Sequence, residues 1–429
     1  MSNTDSQRAD GYVRRIVDRE LDELFPALPA ILLDGPKAVG KTATATQRSS
    51  TIRALDHAGQ HAVVAADPTI IGRDPKPVLV DEWQRLPAVW DTVRRLVDRD
   101  PHPGQYLLTG SAPTTATHSG AGRIVTVRMR PMCWEERGLA APAVSFQALA
   151  TGTAGTIAGT SSVTLEQYVA EILTGGFPGM RRSSGRALVA QLNGYLERIV
   201  DHDMPEAGFT VRRPAAVMAW LRAYAAATAT TASWETVRDA ATSGVSNKPA
   251  KTTTIAYTEL LTHLRILDDV PAWTTSQNHL GRLLHAPKHH LVDPALAARL
   301  LGRTTRHLLA GDDGAVAVPH DGTLLGNLFE SLVTLSVRTY AKSIGATVGH
   351  LRTEAGRHEV DLIVETDDGV LALEVKLSNA VDDRDVRHLT WLRHQLGDRL
   401  IDAAVITTGD TAYRRADGIA VVPLALLTA

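Results

Sequence analysis

The sequence predicts an α/β protein in three parts: a P-loop NTPase parallel sheet, a helical middle region of winged-helix order, and a second α/β region at the C-terminal end. Three observations predict it. Gly35-Pro36-Lys37-Ala38-Val39-Gly40-Lys41-Thr42 has the form G-x-x-x-x-G-K-[ST], between an apolar run, Ala30 to Leu33, and a segment suited to start a helix, Thr42 to Gln47. The apolar run Pro77 to Val80 ends in Asp81-Glu82. Far downstream, Val370 to Leu377 alternates with period two and carries Glu374 and Lys376 on one face, behind an upstream Asp361.

Taken in order, Tyr12 to Leu24 is expected to be an amphipathic helix, with Val13, Ile16, Val17, Leu21 and Leu24 on one face. Pro26 and Pro29 end it and lead into the first strand. In the Gly35–Thr42 loop, glycines let backbone N–H groups turn inward onto phosphate oxygens, and the next helix adds the favourable end of its dipole. Lys41 reaches the β- and γ-phosphates and the Thr42 hydroxyl holds Mg²⁺, so ATP and Mg²⁺ are the expected cofactors. Thr51 to Leu55 and Pro77 to Val80 read as strands. Asp81 is expected in the Mg²⁺ shell, and Glu82 is expected to polarise the attacking water.

Val89 to Val97 is a helix by its spacing. Tyr106 to Leu108 is a further buried strand, ending in Thr109-Gly110-Ser111. Thr109 or Ser111 is placed to sense the γ-phosphate, although a plain polar strand end accounts for either residue as well. Ala112 to Gly122 reads as a loop and Arg123 to Val127 as a strand. Arg123 has two readings: a γ-phosphate contact, in the same or a neighbouring subunit, or a solvated arginine at a strand start. Strands alternating with helices call for a parallel sheet. Thr151 to Ser162, rich in Gly, Ser, Thr and Ala, reads as a linker.

The middle region is helical over Leu165–Leu173, Ala187–Val200 and Trp220–Ala227, with a sharp turn at Gly175-Gly176-Phe177-Pro178. Trp234 to Ala241, a turn at Ser243–Pro249, Thr252 to Leu264 and a strand over Ile266–Trp273 give the order of a winged helix. The basic residues there are Lys248, Lys251, His263 and Arg265, a thin set for reading DNA, so a packing or lid role competes with DNA binding. In the C-terminal region Glu359 to Val364 and Val370 to Leu377 are strands joined by a turn at Asp367-Asp368-Gly369. Asp361 and Glu374 have the residue types of a Mg²⁺ site, with Lys376 to position a water and Glu330, on a helix over Leu324–Val337, as a further carboxylate. The competing reading is a cross-strand ion pair on a wet strand face. His289-His290 reads as structural.

The 429 residues suffice for two or three domains, here 1–150, 163–275 and 276–429. Lys and Arg number 45 against 47 Asp and Glu, a net charge of −2, so nucleic-acid contact has to come from local patches. One cysteine, Cys133, excludes internal disulfides and cysteine-rich zinc sites and suits a reducing cytoplasm. No apolar stretch approaches membrane-spanning length, and the polar start Met1 to Asp5 does not read as a signal peptide.

With these residues in place, the chain resembles prokaryotic AAA-type ATPases that carry a C-terminal domain of the PD-(D/E)xK nuclease-like superfamily. The resemblance rests on Gly35 to Thr42, Val80 to Pro87, Leu108 to Ser111, Gly122-Arg123, Gly175 to Pro178, Asn327 to Glu330, Glu359 to Asp361 and Glu374 to Lys376. It implies an AAA-type ATPase at 1–150, a winged-helix-like domain at 163–275 and a restriction-endonuclease-like fold at 276–429. It further implies that nucleotide state is coupled to a nucleic-acid-related C-terminal domain. Two alternatives stand beside this: an ATP-gated metal-dependent nuclease in defence or a toxin-like system, and a non-catalytic DNA-, RNA- or protein-binding adaptor. A protein partner or a homo-oligomer fits each of them.

Overall fold

The computed structural model describes residues 11–110, 120–242, 250–273, 286–311, 323–353 and 356–429. Ser111, Lys248, the Ser243–Pro249 turn and most of the Ala112–Gly122 loop lie outside the described residues. The chain packs as two compact units. The first comprises Met1–Arg130 with Phe177–Gly179 and Leu260–Ile266; the second comprises Pro131–Gly176, Met180–Glu259 and Leu267–Ala429. The first unit thus gives way to the second at Arg130 rather than at residue 150, and most of the helical middle shares one unit with the C-terminal sheet.

In the first unit, five short strands form one sheet: β1 Ala30–Asp34, β2 Thr51–Ala54, β3 Val78–Asp81, β4 Tyr106–Gly110 and β5 Ile124–Arg128. Their order across the sheet is β2-β3-β4-β1-β5 and every pairing is parallel. β1, β3 and β4 are buried along their whole length, which is why they read as unbroken apolar runs. Helices Ala58–Ala66 and Ala88–Arg99 connect the strands, and Val64, Val89, Trp90, Val93 and Val97 pack with Val78, Val80 and Leu108 into one core. The first helix is shorter than its periodicity suggests, Val17–Leu24, because the residues before it turn toward the phosphate loop.

The second unit is built on a seven-stranded mixed sheet. Its strands are β7 Gly159–Thr160, β8 Thr347–Arg352, β9 Glu359–Glu365, β10 Val370–Lys376, β11 Leu400–Thr407, β12 Thr411–Arg414 and β13 Ala420–Pro423, in the order β7-β12-β13-β11-β10-β9-β8. β8, β9 and β10 form an antiparallel meander, helix Asp383–Leu396 crosses over, and β11 returns parallel to β10. A second small sheet pairs β14, Leu427–Thr428, with β6, Val144–Ser145. The supposed linker is therefore structural: Gly159 and Thr160 pair with Ala412 and Thr411 at the edge of the large sheet. Helices Trp234–Ala240 and Lys251–His263 are where the sequence places them, but among the described residues Ile266–Trp273 makes isolated bridges in place of a strand, Leu267 to Leu291, Val270 to Lys288 and Ala272 to His350.

Candidate functional site

The phosphate loop is shaped by two glycines. A Cβ on Gly35 would stand 2.2 Å from the Met129 carbonyl oxygen, so only glycine admits this close approach. Gly40, at φ +99°, caps the Lys41–Thr46 helix in a conformation that side chains disfavour. Arg15, buried, braces the loop from outside: Nη1 donates to the Val39 carbonyl and Nη2 to the Arg130 carbonyl, both at 2.9 Å. Tyr12 donates to Asp18 at 2.6 Å, and its hydroxyl lies 2.9 Å from that of Thr44 on the helix after the loop. The spacing of the N-terminal segment shows its apolar face and hides this bracing, since Arg15 finds its partners far along the chain.

Lys41 folds back over the loop, its Nζ donating to the carbonyls of Gly35 at 2.9 Å and Pro36 at 2.8 Å. Burial lowers its pKa to about 8, against the opposing charges of Glu82, Asp34 and Asp81. The Thr42 hydroxyl donates to Asp81 Oδ1 at 2.8 Å, so the two residues expected to hold Mg²⁺ meet across β1 and β3. Thr42 is exposed and Asp81 is buried beside it, and both offer oxygen, the hard-ligand type that Mg²⁺ takes, so they fit this ion. The Thr109 hydroxyl also donates to Asp81 Oδ1. Thr109 thus holds the Asp81 carboxylate in place, and a direct γ-phosphate contact would require it to release that bond. Glu82 follows at φ +55° and accepts from Gln84 Nε2 at 2.5 Å. Burial raises its carboxyl; Lys41 opposes this and Asp81 adds to it.

Arg123 stands elsewhere. In the parallel register Ala30 pairs with Ile124 and Asp34 with Arg128, so Arg123 precedes the end of the sheet opposite the phosphate loop. A five-residue strand puts about 16 Å between the two ends. Arg123 is exposed, and its Nε donates to Asp98 at 2.8 Å. At the loop end of the sheet, Asp34 Oδ2 lies 2.8 Å from Arg265 Nε and 3.8 Å from Arg128. Arg265, read from sequence as a candidate DNA-phosphate anchor, is instead paired with the residue just before the loop.

In the second unit, β9 and β10 bring the predicted acidic residues together. Leu362 pairs with Leu373, and one step on Asp361 Oδ2 accepts the Val375 N–H at 2.9 Å. Glu374 is buried and its Oε1 accepts from Lys376 Nζ at 2.9 Å. The strand is interior to the sheet, and within the pair Glu374 is buried while Lys376 keeps 34% of its side chain exposed. Glu330 comes in from the Leu324–Ser343 helix. What sequence reasoning missed is Lys288: only 1% exposed, its Nζ lies 2.9 Å from Glu330 Oε1, 2.9 Å from Asp361 Oδ1 and 3.3 Å from Glu359 Oε1. Burial would lower its pKa, but Asp361, Glu330 and Glu359 outweigh that and hold it well above the ordinary lysine value. Asp361 is held below the carboxylate range because Lys288 and Lys376 overcome its burial. Burial, reinforced by the charge of Asp361, pushes Glu330 and Glu374 up to about 8.

These groups line a cavity of about 880 Å³, with Arg352, Arg387 and Asn327 also on its wall. His289 and His290 are buried; the His289 ring approaches the Ala232 carbonyl at 2.8 Å, and burial lowers the His290 pKa well below its usual range, as befits residues of the core. Among the described residues no helix is long and apolar enough to cross a membrane.

Comparison with known proteins adds to this picture. Residues 28–137 match the AAA domain family, residues 165–307 a domain of unknown function, DUF8612, and residues 325–427 a domain of unknown function, DUF4143. Two uncharacterized proteins, from Mycobacterium bovis and Mycobacterium tuberculosis, are each 26% identical over 302 residues, which is 67% of this chain. The aligned part spans 60% of the length of these relatives. Among solved structures, the Walker-type ATPase of Pyrococcus abyssi superposes with a TM-score of 0.42 at 17% identity, covering 68% of this chain and 97% of its own. The ORC2 protein of Aeropyrum pernix, in ADPNP and ADP complexes, gives 0.27 at 13% identity, covering 76% and 98%. The segment 28–137 thus carries a P-loop and matches the AAA domain family.

Proposed function

We propose that this protein binds and hydrolyses ATP with Mg²⁺ at the Gly35–Thr42 loop and uses the nucleotide state to govern a nucleic-acid-related second unit. The observation that carries the first half is the 2.8 Å bond between Thr42 and Asp81, which brings both expected ion ligands to the mouth of the loop. Bound there with ATP, Mg²⁺ would neutralise charge on the β- and γ-phosphates. The chain's own groups do the rest. Backbone N–H groups of the loop receive phosphate oxygens, and Lys41 leaves the Gly35 and Pro36 carbonyls for the phosphates. Thr109 fixes Asp81, while Glu82, with its carboxyl raised, orients a water toward the γ-phosphate and receives its proton. Arg128 and Arg265, gathered on Asp34, stand at the correct end of the sheet to answer to phosphate charge. An Arg123 role is open only toward a neighbouring copy.

The test is Mg²⁺-dependent ATP turnover by the pure protein beside Lys41→Ala. A loss of about 10²-fold or more is expected, since a donor aimed at the transferring phosphate is removed. Unchanged turnover in a folded Lys41→Ala protein would overturn the assignment.

The nucleic-acid half rests on the cavity that gathers Lys376, Arg352 and Arg387 beside a carboxylate cluster. Addition of DNA or RNA is expected to change ATP turnover in a salt-sensitive way. Turnover indifferent to both would leave a protein as the partner.

A further inference from the structure

The carboxylates of the second unit have the composition of a Mg²⁺ site, but their arrangement does not fit one. Asp361 has both oxygens engaged, Oδ1 by Lys288 Nζ and Oδ2 by the Val375 N–H, each at 2.9 Å. Glu374 Oε1 is engaged by Lys376. Among the described residues, Glu374 Oε2 alone of this pair's oxygens has no hydrogen-bond partner. A divalent ion bound to Asp361 Oδ1 would stand about 2 Å from that oxygen, within a few ångström of the Lys288 ammonium. In a buried site that repulsion is screened far less than in water. Three basic side chains already stand against the four carboxyl groups. Glu330, Glu359, Asp361 and Glu374 are faced by Lys288, Lys376 and Arg352, the last 3.4 Å from Glu359.

We propose that Lys288 is the resident cation of this cluster, filling the place a divalent ion would take, so that the pocket works without a metal. The position is built in by the backbone: Lys288 bridges Val270 through hydrogen bonds in both directions, each 2.9 Å, which aims its side chain inward from a fixed point. An ammonium with three donors suits the three oxygens around it, one each from Glu330, Glu359 and Asp361. Removing one member of such a group strands buried charge, so the lysine and the carboxylates depend on one another. This inference deepens the reading of the second unit as nucleic-acid-related. A pocket whose cation is a side chain holds a phosphodiester strand against Lys376, Arg352 and Arg387 and does not cut it by metal-activated water.

The test is titration of the full chain with Mn²⁺, without nucleotide, with free Mn²⁺ read by electron paramagnetic resonance. The wild-type protein and Asp361→Asn are expected to give the same curve. Lys288→Met is expected to gain one Mn²⁺ per chain, tighter by about tenfold or more than any wild-type site. The gain should vanish in Lys288→Met with Asp361→Asn. Lys288→Gln with Glu359→Gln removes one charge of each sign and should show the same gain if the single variant does not fold. A wild-type Mn²⁺ site that Asp361→Asn abolishes would overturn the proposal, as would a folded Lys288 variant that gains none. Neither readout involves ATP turnover, and DNA or RNA binding is measured separately, so failure here is distinct from failure of the functional reading.

Discussion

Lys41 is the residue whose chemistry is most exposed to a simple measurement. Its pKa is lowered to about 8 by burial while it rests on loop carbonyls. ATP phosphates would favour its charged form, so its pKa rises when ATP binds. ATP binding is therefore expected to take up protons at and above pH 8, and affinity should weaken as pH rises beyond that value. Calorimetry of ATP binding in buffers of different ionisation enthalpy checks this; identical heats in all buffers at pH 8.5 would refute it. The role of Lys41 was legible in sequence because its partners, Gly35 and Pro36, lie within six residues. Lys288 was not legible: its partners lie 42 and 73 residues away, and nothing in Ala286-Pro287-Lys288-His289 marks it as a cluster's cation. Asp361, Glu374 and Lys376 were readable as a pattern, but the pattern alone leaves burial and pairing undetermined.

At the scale of elements, strand direction decides what a residue can reach. The alternation of strands and helices in the first unit was visible because fully buried strands appear as apolar runs. Arg123 shows the limit of that reading. A strand start was recognisable, but only the pairing of Asp34 with Arg128 reveals that this start is remote from the loop. The expected consequence is a contrast between two arginines. Arg265→Ala, which leaves Asp34 beside the loop to the more distant Arg128, should lower ATP turnover by about tenfold or more. Arg123→Ala, in dilute protein, should stay within about twofold, as for most exposed positions. The reverse ranking would mean that the loop is served from the far end of the sheet, in a neighbouring copy. Gly35→Ala tests the loop's own construction. Its Cβ would meet the Met129 carbonyl at 2.2 Å, and main chain cannot step aside as a flexible side chain can. Overpacking of this kind costs about 1–3 kcal/mol, so a lower unfolding midpoint and weaker ATP binding are expected together.

The whole molecule joins sequence-distant pieces, and this is where composition misled most. Thr151–Ser162 has the small and polar residues of a linker, yet Gly159 and Thr160 extend the large sheet. Val144 and Ser145 likewise pair with the chain's last strand. Two-residue strands leave no periodicity to read, so only the assembled unit shows them. A fragment 276–429, cut where sequence alone draws a domain boundary, would lose both pairings and the Val270 bridge that anchors Lys288. It is expected to be unfolded or insoluble, whereas 131–429 should fold; circular dichroism and a cooperative melt distinguish the two.

The same unit should carry a pH signature. Glu330 and Glu374 bind their protons up to about pH 8 when folded, against ordinary carboxylate values when unfolded. The folded state therefore holds more protons across that window, and stability must fall as pH rises from about 4.5 to 8. Below the lower limit the contribution is complete, and above the upper it is gone. Urea unfolding of 131–429 at pH 6 and pH 9 measures the difference, and Glu374→Gln, which cannot ionise, should reduce the loss between the two. Equal stability at both pH values would mean that the cluster's carboxyls titrate normally and that Lys288 and Lys376 neutralise them more completely than their geometry implies.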